Sequence, residues 1–105
     1  MQRITLHIPT CDNNDHPVPR SILGLWEAQI VDIAGGFTVS DAVGAWRSPT
    51  GRIYREPVRL YVIDVAEYES LRDAILALAN RIRVALAQES VYVTMIPLEV
   101  VQVVG

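Results

Sequence analysis

A partner for Cys11 is missing. With one cysteine in 105 residues, the chain can close no internal disulfide and has no thiol pair for zinc or redox exchange. Lysine is absent as well, so all nine basic residues are Arg. No apolar run approaches the ~20 residues a membrane helix requires. The first ten residues, MQRITLHIPT, alternate in character, where a secretion signal would carry a continuous apolar stretch. A cytoplasmic location without membrane contact is the expectation. Excess basic charge is also lacking: twelve acidic groups against nine Arg leave −3, with a pI near 5.2. Nucleic acid is therefore excluded as an expected partner, because its phosphate backbone selects a basic face.

What is present is material for a core. Half the residues are hydrophobic and 20% are charged, a balance that folds rather than remaining disordered. A chain of this length buries roughly 60 to 70% of the surface its unfolded form exposes. Residues 1–105 therefore read as a single domain that needs no metal or cofactor to fold, and no cofactor is expected.

Residues 3–8 alternate, with Ile4, Leu6 and Ile8 on one side and Arg3, Thr5 and His7 on the other, which predicts a strand ended by Pro9. Residues 9–19 hold three prolines and the polar run CDNND, a loop composition. From about Pro19, Ile22, Leu25, Trp26, Ile30 and Ile33 recur at helical spacing until Gly35 and Gly36 stop the helix, with Gly24 weakening its interior. Residues 37–47 and 57–65 are rich in β-formers and predict a hairpin with a long tip. Residues 67–88 place Leu71, Ile75, Leu78, Ile82 and Leu86 on one stripe, with acidic residues early and Arg81 and Arg83 late. Residues 90–96 alternate again, and 98–104 form one more extended segment after Pro97.

This order predicts an α+β fold, a ferredoxin-like βαββαβ sandwich. Its antiparallel sheet carries both helices on one face, with an extra C-terminal strand. The helix-covered face is expected to take Ile4, Leu6, Ile8, Val58, Leu60 and Val62. The open face is expected to show Arg3, Thr5, His7, Arg59, Tyr61 and Ile63 with Tyr92, Thr94 and Ile96. In the tail, Leu98, Val100 and Val104 oppose Val101 and Val103, so neither side is polar. Such a strand invites pairing, which predicts a homo-oligomer, most simply a dimer.

The densest run of distinctive residues is GGFTVSDAVGAWRSPTGRIYREP at 35–57, followed by QESVYV at 88–93. Gly36, Thr38, Val39 and Asp41, then Gly44, Trp46 and Arg47, Gly51 and Arg52, Arg55, Glu56 and Pro57, and late Gln88, Glu89, Ser90 and Val91 form a succession. It resembles a family of small bacterial proteins described as a domain of unknown function. The resemblance implies a fold and a constellation of residues, without an activity.

The residues themselves suggest chemistry. Arg47, Arg52, Arg55 and Arg59 against Glu56 give residues 47–59 a charge of +3 and leave −6 for the remainder. Arg forks around carboxylates and phosphates, so the tip can clasp a small anion, or it is a solvated turn with Arg stems over Trp46 and Tyr54. Strict alternation carries Asp41 into the apolar face, where it needs Arg55 or Arg47 as a partner, unless a bulge at Gly44 turns it outward. His7, Tyr61 and Tyr92 would share the open face, either as proton-transfer groups or as interface packing. Cys11, Asp12, Asn14, Asp15 and His16 resemble a metal loop, but Pro17 and Leu23 stand where a calcium loop needs Gly and Glu, so a surface loop is the reading.

The leading expectation is a non-enzymatic, homo-oligomeric module binding a small, anionic ligand through Arg47, Arg52, Arg55, Glu56, Asp41, Trp46, His7 and Tyr61. The alternatives are a small dimeric enzyme of the α+β barrel type, working on the open face in a pocket that holds His7 and Tyr61, or a purely structural, interaction protein. The nitrogen-regulatory PII-like proteins share the βαββαβ plan and a long loop between the second and third strands. No Gly-rich nucleotide-binding run accompanies that likeness.

Overall fold

The alternation of Ile4, Leu6 and Ile8 becomes β1 (Gln2–Pro9), in a computed structural model that describes residues 1–12, 14–66 and 69–101. The chain continues through α1 (Arg20–Ala34), β2 (Thr38–Arg47), β3 (Ile53–Val65), α2 (Glu69–Ala85) and β4 (Tyr92–Pro97). The strands form one antiparallel sheet in the order β2-β3-β1-β4. This is the expected α+β arrangement, with β1 and β3 central. No helix among the described residues is long and apolar enough to cross a membrane.

Helix boundaries follow local chemistry. Pro19 occupies the N-cap of α1, and Gly35 closes the helix at φ 85, donating its N–H to the Val31 carbonyl at 2.8 Å. That left-handed conformation carries no Cβ penalty for glycine. Leu23, Trp26 and Ile30 of α1 are buried with Ile75, Leu78, Ala79 and Ile82 of α2 and with Leu86 just beyond it. Leu25, counted on the stripe from spacing, points to solvent instead. Each large side chain removed from water in this layer contributes about 1.5–3 kcal/mol. Arg81 Nη2 donates to Gln29 Oε1 at 3.0 Å, tying the two helices on their outer side.

The third strand faces the other way from the expectation. Leu6 pairs with Tyr61 and Ile4 with Ile63, so Tyr61, Ile63 and Val65 lie under the helices, while Val58, Leu60 and Val62 lie on the open face. β3 is apolar on both sides, so alternation within it reads equally well in either phase. Only the pairing with β1 fixes the phase. The faces expected for β1 and for Tyr92, Thr94 and Ile96 of β4 hold, since His7 pairs with Tyr92, Thr5 with Thr94 and Arg3 with Ile96.

The hairpin also differs in extent. β3 begins at Ile53 rather than 57, and its ladder with β2 runs unbroken from Thr38 opposite Val62 to Arg47 opposite Ile53. The tip is a five-residue turn in which Ser48 N–H donates to the Arg52 carbonyl at 2.8 Å and Gly51 sits at φ 87. Pro57 is accommodated just past the end of the β1 ladder, where its carbonyl accepts the Thr10 N–H at 3.2 Å and the Thr10 carbonyl, lacking a Pro57 N–H, accepts that of Val18 at 2.8 Å. The continuous register contains no bulge at Gly44.

After β4, Leu98 N–H donates to the Met1 carbonyl at 2.9 Å, but residues 99–101 form no strand. The remainder of the extended segment expected over 98–104 lies outside the described residues. In the loop after β1, Asp12 Oδ1 accepts the backbone N–H groups of Asn14 at 2.8 Å and His16 at 3.0 Å. These bonds hold the Asp12 carboxyl below the usual range, the His16 amide having the largest effect. Asp12 is thus engaged in closing a surface turn.

Candidate functional site

The sheet's open face deepens at one end into a groove of about 920 Å³, lined by His7, Pro9, Gly44, Ala45, Trp46, Tyr54, Glu56, Val58, Gln88, Glu89, Ser90 and Tyr92. Strand alternation explains the composition. Gly44 and Trp46 of β2 pair with Glu56 and Tyr54 of β3, and all four share the face opposite the helices. His7 and Tyr92 occupy the same face on β1 and β4. Two aromatic pairs result. Trp46 stacks on Tyr54 with ring centroids 4.8 Å apart and planes 19° from parallel. His7 meets Tyr92 edge to face, also at 4.8 Å.

The third wall is the connection from α2 to β4. Ala87 adopts φ 53; its N–H donates to the Val84 carbonyl at 3.1 Å, and the Gln88 N–H donates to the Arg83 carbonyl at 3.0 Å. This is a Schellman termination with alanine where glycine is usual. Arg83 reinforces it, donating Nε and Nη2 to Asn80 Oδ1 at 3.0 Å each and Nη1 to the Gln88 carbonyl at 3.3 Å. Gln88, Glu89 and Ser90 are thereby held across the groove from the hairpin.

The residues expected to bind ligand divide between the two faces. His7, Trp46 and Glu56 line the groove, and Arg52 sets its guanidinium over the Tyr54 ring, 4.8 Å from the centroid. Arg55 pairs with Ala45 and Arg47 with Ile53, which puts both on the face opposite Trp46 and Glu56. A clasp combining Arg47, Arg52, Arg55 and Glu56 is not assembled, because neighbouring positions of a strand project to opposite sides.

Asp41 shares the helix-side face of β2 yet is not buried. Its side chain is 74% exposed, since the hairpin runs on past the helices, and its partner is Arg59, not Arg55 or Arg47 (Nε to Oδ1, 3.0 Å). Tyr61 belongs to the same side. It is 1% exposed, packs edge to face on Phe37 at 5.4 Å and donates its hydroxyl to Glu27 Oε2 at 3.4 Å. Burial, with the Glu27 charge adding in the same direction, pushes its phenol up to about 12 against the hydrogen bond from Arg59. The pocket foreseen around both His7 and Tyr61 does not form, because the sheet separates them.

Of the twelve lining residues, nine stand outside the site expected from sequence, and the ones among them with chemistry to offer that the sequence reading gave no part in a site are Tyr54, Gln88, Glu89 and Ser90. The signal for three of them was present in the QESV run, whose distance of more than thirty residues from Glu56 concealed that the two segments meet.

The architecture is the ferredoxin-like α+β class. Within it, the chain belongs to DUF3574, a family of proteins of unknown function, which matches residues 30–101. Among solved structures, it is similar to a phage SAM lyase in complex with S-methyl-5'-thioadenosine, with TM-score 0.68 and 15% identity over 90% of this chain and 78% of that one. The apo state of a phage SAM lyase gives TM-score 0.60 and 20% identity over 90% and 76%. The divalent cation tolerance protein CutA1 from Thermus thermophilus gives TM-score 0.61 and 11% identity over 93% and 84%. At these identities the likeness concerns the fold. No curated protein matches the sequence significantly.

Proposed function

We propose that the protein is a small-molecule binding module whose site is the open-face groove, and that it works as a homo-oligomer with a second copy covering the adjoining sheet surface. One observation carries the reading. Gly44, Trp46, Glu56, Gln88, Glu89 and Ser90, drawn from two separated segments of the family succession, line a single groove. Its volume suits a small organic ligand. Structural burial does not account for them, because Trp46 is 53% exposed and Glu89 and Ser90 are exposed too. In the oligomer, the surface to be covered combines Leu60 and Val62 with Tyr92 and Ile96.

The test is a thermal melting panel of nucleotides, inorganic anions, aromatic cations and S-methyl-5'-thioadenosine, the last included because a structural neighbour binds it. A ligand that raises Tm in the wild type and not in Trp46→Leu supports the reading. A panel in which nothing raises Tm, or in which Trp46→Leu responds as the wild type does, overturns it.

A further inference from the structure

The charge of the groove is opposite to that of the hairpin that borders it. Its acidic members are Glu56 from β3 and Glu89 from the α2–β4 connection, and no Arg is among its lining residues. Of the neighbouring guanidiniums, Arg83 is committed to Asn80 and the Gln88 carbonyl, Arg59 to Asp41 behind the sheet, and Arg52 lies against the Tyr54 ring at the border, one cation beside the two carboxylates. An anion entering here would meet two carboxylates, Glu56 half-buried and Glu89 exposed, and be repelled by both. A cation would meet them as counter-charges.

The aromatic wall points the same way. Indole and phenol rings present a negative face, so a planar cation laid against them gains electrostatic attraction in addition to stacking. The chain already satisfies this preference once, by placing the Arg52 guanidinium over Tyr54. Trp46 continues that stack towards the groove and remains half exposed.

Resting on the groove as the binding site, we infer that its ligand is a planar organic cation, stacked on Trp46 with its charge balanced by Glu56 and Glu89. Gln88 and Ser90 supply the neutral hydrogen-bonding groups that orient it.

The experiment compares three probes of nearly equal shape: 1-methylnicotinamide, which is cationic, nicotinamide, which is neutral, and nicotinate, which is anionic. Each is titrated into the full chain while the indole N–H resonances are followed by NMR, with buried Trp26 as internal control. The expected result is a saturable shift of the Trp46 resonance with affinity for the cation about tenfold above that for nicotinate. Glu56→Gln and Glu89→Gln should each weaken the cation by about threefold while leaving nicotinamide unchanged. Nicotinate binding at Trp46 as tightly as the cation would overturn the charge assignment and leave the groove standing as a site. The absence of any Trp46 shift up to millimolar probe also overturns it, and the groove is then judged separately by the melting panel. Retention of the cation preference in the Glu56→Gln/Glu89→Gln double variant would refute the role given to the carboxylates.

Discussion

Leu6 of β1 stands directly opposite Tyr61 of β3, and because Leu6 points under the helices, Tyr61 does too. The pairing gives that phenol a structural role with a pH signature. Its value is pushed up from 10 to about 12, chiefly by burial. Between those values the unfolded chain releases a proton that the folded chain keeps, so stability falls as pH rises. The contribution is whole below pH 10, and the loss by pH 12 is on the order of 2 kcal/mol. Urea unfolding across this range should show the fall in the wild type and not in Tyr61→Phe. At neutral pH that variant should cost only about 0.5–1 kcal/mol, because the bond to Glu27 is long.

Arg59 and Asp41 contribute unequally to their pair. The carboxylate is largely in water, whereas the Arg59 side chain is 23% exposed and lies near Tyr61. Asp41→Ala is expected to cost no more than about 0.5 kcal/mol, and the double-mutant coupling to stay below about 1 kcal/mol. Arg59→Ala should cost visibly more, through the packing of its stem. Equal costs for the two single variants in denaturant titrations would contradict this account.

These two cases also mark how far the sequence could be read. The α2 stripe from Leu71 to Leu86 and the alternation in β1 were legible because one side of each is apolar and the other is not. Tyr61 was misplaced because β3 is apolar on both sides, so its phase depends on a partner more than fifty residues away. Strict alternation sends Asp41 into the apolar face unless a bulge intervenes, because alternation gives a face but does not say where the helices covering that face end. The groove was half legible. His7, Trp46 and Glu56 were named, while Glu89 and Ser90 join them only through the way α2 terminates, which brings residue 88 back towards the hairpin.

That termination supports a paired prediction. Ala87 holds a left-handed conformation that costs an L-residue about 1 kcal/mol, and Gly24 sits inside α1 with nothing within 4 Å of the position a Cβ would take. Ala87→Gly should therefore raise stability by up to about 1 kcal/mol, and Gly24→Ala should raise it by about 0.5–1 kcal/mol. The two opposite exchanges stabilise for different reasons, Ala87→Gly by relieving left-handed strain in the folded chain and Gly24→Ala by reducing the freedom of the unfolded one. Because the sites lie on different elements, their gains should add in a combined melting experiment. Gly51→Ala at φ 87 should lose a comparable amount.

Assembly can be separated from folding at Ile96. This side chain lies on the open face opposite Arg3 and is 53% exposed. Arg3 is already neutralised by a two-pronged bond to Asp64, at 2.8 and 3.0 Å, so a further Arg at position 96 would find no free counter-charge in that pair. On a lone molecule, Ile96→Arg is a surface change and should move stability by no more than about 0.5 kcal/mol. Across an interface between two copies, the same substitution would bury an uncompensated charge, which costs several kcal/mol. Sedimentation velocity should therefore show the wild type as an oligomer and Ile96→Arg as a folded monomer, whose melting temperature is lower only by what assembly adds to the wild type and, unlike the wild type's, does not depend on protein concentration. A wild type that sediments as a monomer at micromolar concentration, or an Ile96→Arg variant that assembles like it, would remove the open face as the contact between copies.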